Sequence, residues 1–125
     1  IIIGHSFGGL IVTLFSESWE STFPINAHAI ASGLAKSKFD RKYLNCENPK
    51  KPKYDISKYV EYKQWRTIKD QDGIFKRLNN DPQVVTFING KTTLLPKRWK
   101  STRVGHNFSI LVVSDIILSD LQKNK

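Results

Sequence analysis

Residues 1–10 read IIIGHSFGGL: Ile1, Ile2 and Ile3 run into Gly4-His5-Ser6-Phe7-Gly8, and an apolar stretch follows without a turn. Three β-branched residues ended by glycine read as a short buried strand. From Phe7 to about Trp19 the period changes. Leu10, Ile11, Leu14 and Phe15 recur at helical spacing, Trp19 lies one turn further, and Glu17, Ser18, Glu20 and Ser21 fall on the other side and near the end. The chain therefore opens as strand, sharp turn and helix, with a serine at the turn.

A serine gains nucleophilic use from that position. A tight strand-to-helix turn holds its hydroxyl clear of the backbone and beside N–H donors. The turn strains the serine, so its neighbours two residues away must be almost free of side chain, and Gly4 and Gly8 occupy those places. The helix points its N-terminus at the site, where its dipole favours developing negative charge. The plainer alternative is a serine that only caps the helix.

Outward from the turn, Ile25 to Ala31 is a second apolar run, preceded by Pro24 and ended by Ser32-Gly33. It reads as a second strand. Residues 34–60 are polar and lysine-rich and are broken by Pro49 and Pro52, as in a basic insertion or lid-like segment. Tyr62 to Ile68 reads as a third strand that leads into the acid-rich turn Lys69-Asp70-Gln71-Asp72-Gly73. Gln83 to Ile88 is strand-like, and Asn89-Gly90 is a hairpin signal that would return Lys91 to Leu95 beside it. The other possibility is a final strand from Thr92 to Leu95 and a long loop to His106. From Phe108 to Leu121 helical spacing returns, with Ile110, Val113, Ile117 and Leu121 on one face. The alternation predicts an α/β domain over residues 1–125, its mostly parallel sheet flanked by helices.

Gly4-His5-Ser6-Phe7-Gly8-Gly9 after an isoleucine strand resembles the nucleophile elbow of the α/β-hydrolase superfamily, in its lipase and esterase branch. The resemblance implies a partial α/β-hydrolase fold that starts at the elbow strand, and a triad in the chain order serine, acid, histidine. It implies Ser6 as nucleophile and the backbone N–H of Phe7 as one oxyanion donor. His106, in Val104-Gly105-His106-Asn107 just before the last helix, matches the family's histidine loop in place and context. Asp72, before Gly73-Ile74, resembles the family's acid loop, and Asp70 is the alternative acid. His5 is expected to matter through its backbone and His28 to be structural, while Asp40 and Asp55 are expected to be solvated. The implied activity is cleavage of a carboxylic ester, of a lipid or another acyl compound, through an acyl-enzyme. An acyltransferase or thioesterase would use the same triad, and a hydrolase-like binding domain is a reading from another class. The resemblance covers only the C-terminal half of the family fold, without the loop that supplies the second oxyanion donor. The expectation is a fragment, poorly stable and inactive alone, in keeping with a sequence that has no methionine.

Composition bounds the partners. Twenty Lys and Arg against 11 Asp and Glu give a formal charge of +9. The basic residues are spread rather than gathered on one periodic face, which reads as a solvated surface; an anionic partner, membrane lipid or nucleic acid, is the sharper alternative. Tyr54, Tyr59 and Tyr62 lie among the lysines from Lys50 to Lys63. Such aromatics can stack on bases or belong to a loop that covers a site, and the second reading is preferred. Cys46 is the single cysteine, which excludes an internal disulfide in this segment and a cysteine-cluster zinc site. Nothing in the sequence points to a metal or an organic cofactor, no apolar run approaches the roughly 18 residues of a membrane span, and the compartment is open.

Overall fold

A computed structural model describes residues 1–37, 40 and 47–123; Cys46 lies outside them. In chain order the elements are β1 (Ile2–His5), α1 (Phe7–Ser18), β2 (Ile25–Ile30), β3 (Lys53–Asp55), β4 (Val60–Arg66), β5 (Thr86–Ile88), β6 (Gly90–Leu94), β7 (Arg98–Trp99), β8 (Thr102–Arg103) and α2 (Phe108–Lys123). The main sheet has the order β1-β2-β4-β6, and all three pairings are parallel. The protein is thus of the α/β class, with a mostly parallel sheet. β3 pairs with β5 in a second parallel ladder, and β7 with β8 in a short antiparallel one.

Alternation along the strands feeds two cores. Ala27 and Ala29 of β2 and Tyr62 of β4 pack with Leu10 of α1, Leu34, Tyr54, Ile56 and Val60. Ile30 and Trp65 face the other way, against Val112, Val113 and Ile117 of α2. The alanines let α1 lie close to the sheet, and the hydroxyl of Thr13 on α1 meets that of Tyr62 at 2.6 Å.

Four expectations change. The Asn89-Gly90 pair does not make a hairpin: Asn89 takes a positive φ of 61° and turns a corner, after which β6 leaves β5 and pairs with β4. The local turn signal is real, but the two strands serve different sheets. Second, α1 buries Gly9, Leu10, Thr13 and Ser16, while Ile11 and Phe15 are 54% and 40% exposed; close packing on the alanines selects the small-residue face. The face assigned to α2 shifts as well, with Ser109, Val112, Val113 and Ile117 inward and Ile110 and Leu121 outward. Third, among the described residues β1 pairs with β2 alone and Ile1 and Ile3 are exposed, so these two isoleucines are not buried within this segment. Fourth, the lysine-rich segment is not merely polar cover. Leu34, Tyr54, Ile56 and Val60 are core residues, and burial of Tyr54 and Tyr62 removes two of the three rings from any stacking surface.

Candidate functional site

β1 delivers Ser6 at its C-terminal end, and α1 begins at the next residue. Ser6 takes φ 56° and ψ −120°, a conformation a non-glycine residue holds only when its surroundings impose it. The N–H of Ser6 donates to Ile30 O at 2.8 Å, tying the turn to the end of β2. Ser6 makes no side-chain cap on α1, so the hydroxyl is turned elsewhere. The turn is closed by two absent side chains. A Cβ on Gly4 would sit 2.2 Å from Gly8 O, and a Cβ on Gly9 would sit 1.7 Å from the Ser32 hydroxyl. A Cβ on Gly8 meets nothing within 4 Å. The steric need is therefore at Gly4 and Gly9, and Gly8 matters only as the carbonyl that Gly4 approaches. The expected place of Gly8 in the elbow is corrected in that sense.

Ser6 Oγ lies 3.0 Å from His106 Nε2, and His106 Nδ1 lies 2.8 Å from Asp72 Oδ2. An ionised carboxylate only accepts, so Nδ1 carries the proton and Nε2 is left to accept from the serine hydroxyl. His106 is 8% exposed and Asp72 has no exposed surface. Burial alone pushes the Asp72 carboxyl up. Hydrogen bonds from His106, Thr67 and the Ile74 N–H more than reverse this and hold it below the usual carboxylate range. Its Oδ2 also accepts from the Thr67 hydroxyl at 2.6 Å, and its Oδ1 accepts from the N–H groups of Ile74 and Phe75 at 2.9 and 3.1 Å. Asp70, the alternative acid, is exposed on the adjoining turn, where its carbonyl accepts from Arg103 at 3.5 Å.

Three contributors escape a reading of the sequence. Thr67, just past β4, bonds Asp72. Buried Gln83 accepts from the Thr67 N–H at 2.9 Å through Oε1 and donates to the Thr67 carbonyl at 3.0 Å through Nε2, which locks the backbone beneath the acid. His5 acts through its ring as well as its backbone: Nε2 lies 2.8 Å from the carbonyl oxygen of His106. No motif announces these contacts: Thr67 meets Asp72 five positions on, Gln83 reaches Thr67 across 16 positions and His5 reaches His106 across 101. His28 accepts from the Trp65 indole at 3.0 Å inside the α2 side of the sheet. Burial pushes its pKa down, as suits a neutral structural group. Asp55 is exposed. Asp40 is not solvated as expected: it holds Lys50 at 2.6 Å and the Ser37 N–H at 2.6 Å, with its side chain 9% exposed.

A cleft of about 210 Å³ opens beside Ser6. Phe7, Leu10, Ile74, Phe75 and Leu78 give it apolar walls, and the Lys50–Asp40 pair adds a polar one. Among the described residues, no three His, Cys, Asp or Glu side chains are placed to hold a metal ion, and no helix is long and apolar enough to cross a membrane. The arrangement joins a hydroxyl, an imidazole and a buried carboxylate at the mouth of a small apolar cleft. Comparison with protein-family models, curated proteins and solved structures finds no match to this chain.

Proposed function

We propose that the chain carries the nucleophile, base and acid of a serine hydrolase that cleaves carboxylic esters. On this reading it is the C-terminal part of an α/β-hydrolase fold that begins at the elbow strand. The observation that carries the proposal is the unbroken row Ser6–His106–Asp72, at 3.0 and 2.8 Å, with Ser6 held in a strained turn at the start of a helix. A plain structural turn has no need of a buried histidine and carboxylate aligned on its serine.

The chemistry follows from the donors and acceptors. As Ser6 Oγ adds to the acyl carbonyl, its proton passes to His106 Nε2. Asp72 stabilises the imidazolium and holds its orientation through Nδ1. The N-terminal end of α1, where Phe7 N–H lies, favours the negative charge that forms on the carbonyl oxygen. His106 then gives its proton to the leaving alkoxide as the carbon–oxygen bond breaks. Water next loses a proton to His106 and adds to the acyl-enzyme, and Ser6 leaves with that proton. A thiol leaving group, or an alcohol in place of water, would make the same site a thioesterase or acyltransferase. The cleft beside Ser6 suits the acyl part of a small or lipid-derived ester.

The test is fluorophosphonate labelling of the full-length protein that carries this chain, as parent, and of its Ser6→Ala variant, read by intact mass. One adduct on the parent and none on the variant is the expected result. No adduct on a folded parent overturns the proposal in favour of a hydrolase-like binding domain that meets anionic partners through its basic surface.

A further inference from the structure

We infer that His5 is a positioning residue that keeps His106 poised after Ser6 has been acylated. The inference rests on the hydrolase reading of Ser6. A carbonyl oxygen only accepts, so the 2.8 Å contact between His5 Nε2 and His106 O is a bond donated by His5, whose ring carries its proton on Nε2. The contact spans 101 positions and joins the strand that bears the nucleophile to the loop that bears the base. The two rings also pack, with centroids 4.8 Å apart and planes tilted by 57°.

The other restraints on His106 do different work. Ser109 Oγ donates to the same carbonyl, but from three residues away, and so fixes the loop to α2 rather than to the nucleophile. Asp72 fixes the ring from the acid side. Phe75 meets its edge at 5.3 Å. The Ser6–His106 bond reaches across to β1, but the reaction consumes it, because an esterified Ser6 Oγ has no proton to donate. Throughout the acyl-enzyme stage the His5 bond still ties the base to the strand that leads into the elbow. Water must be activated in that interval, and a small misplacement of a reacting group costs orders of magnitude in rate. His5 should therefore matter more to deacylation than to acylation.

The test uses p-nitrophenyl acetate on the full-length protein that carries this chain, with burst and steady-state phases resolved. Loss of one such hydrogen bond, at about 1.4 kcal/mol, corresponds to roughly a tenfold change. His5→Leu is expected to keep its burst rate within a few-fold of the parent and to lose about tenfold in the steady state, so that acyl-enzyme accumulates. His5→Gln places an amide donor near the same point and should recover most of the loss. If the leucine variant does not fold, His5→Phe keeps a ring against His106 and drops the donor. Equal loss in both phases, equal loss in the glutamine variant, or no loss overturns the inference. A parent with neither a burst nor a fluorophosphonate adduct fails the hydrolase reading itself and takes this inference with it.

Discussion

At one end of the hydrogen-bonded row, Asp72 has no exposed surface and its two oxygens accept four bonds. At the other end, Ser6 is half-buried, holds a costly backbone conformation and, among the described residues, makes one side-chain bond, to His106. Asp72, the proposed acid, is first a structural member of the protein. Ser6, the proposed nucleophile, is placed at the expense of stability. Substitutions at the two ends should therefore agree in activity and disagree in stability.

Activity gives the largest effect. Ser6→Ala and Asp72→Asn should each lower turnover of an activated ester by about 10⁴-fold, measured at saturating substrate. The double variant should be no worse than the weaker single variant, because the residues act as a unit. Additive losses would break the proposed unity of the row.

Stability should separate the ends. Asp72→Ala strands the Ile74 and Phe75 N–H groups, the Thr67 hydroxyl and the His106 ring, and is expected to cost about 3 kcal/mol. Ser6→Gly admits the φ 56°, ψ −120° turn without strain and should stabilise by about 1 kcal/mol, while abolishing labelling. Urea unfolding of both variants checks the pair, and a destabilised Ser6→Gly would show that the turn stores no strain.

The pH dependence of stability sharpens the acid end. The folded Asp72 carboxyl titrates below its ordinary value. Its contribution is whole above the unfolded value of about 3.9 and is lost as pH falls through the folded value. The stability gap between the parent and Asp72→Asn should stay level from neutrality to about pH 5 and then close. Denaturation series between neutral and acidic pH measure this, and a gap that widens in acid would reverse the assigned sign.

The smallest effect tests the elbow. Gly8→Ala meets open space and should change stability by no more than about 0.5 kcal/mol. Gly9→Ala collides with the Ser32 hydroxyl and should be clearly worse. Thermal melts of the two variants rank them, and the opposite order would return the steric role to Gly8.

What could be read from the sequence was local or ordered along the chain. The isoleucine strand, the Gly-x-Ser-x-Gly turn and the helix after it are neighbours in sequence. Asp72 and His106 follow Ser6 in an order that a resemblance supplies. Gln83 and the ring of His5 carry no such mark, because their worth depends on how separate segments meet, and Thr67 carries none although its bond to Asp72 is local. The same limit explains Asn89-Gly90. Its turn chemistry is local, but whether β6 returns to β5 or crosses to β4 is decided by the faces that need burying. It also explains Gly9, whose need for a bare Cα comes from Ser32 after β2.

The separation of 100 positions between Ser6 and His106 has a consequence during synthesis. Ser6 leaves the ribosome 100 positions ahead of His106, an interval of about 5–20 s at roughly 5–20 residues per second. Closing so long a loop is slow and depends on the sheet assembling in between. On the hydrolase reading, the nascent chain therefore presents a serine with no base until α2 and the loop before it dock. Docking of the His106 loop is, in effect, the step that would arm the proposed site.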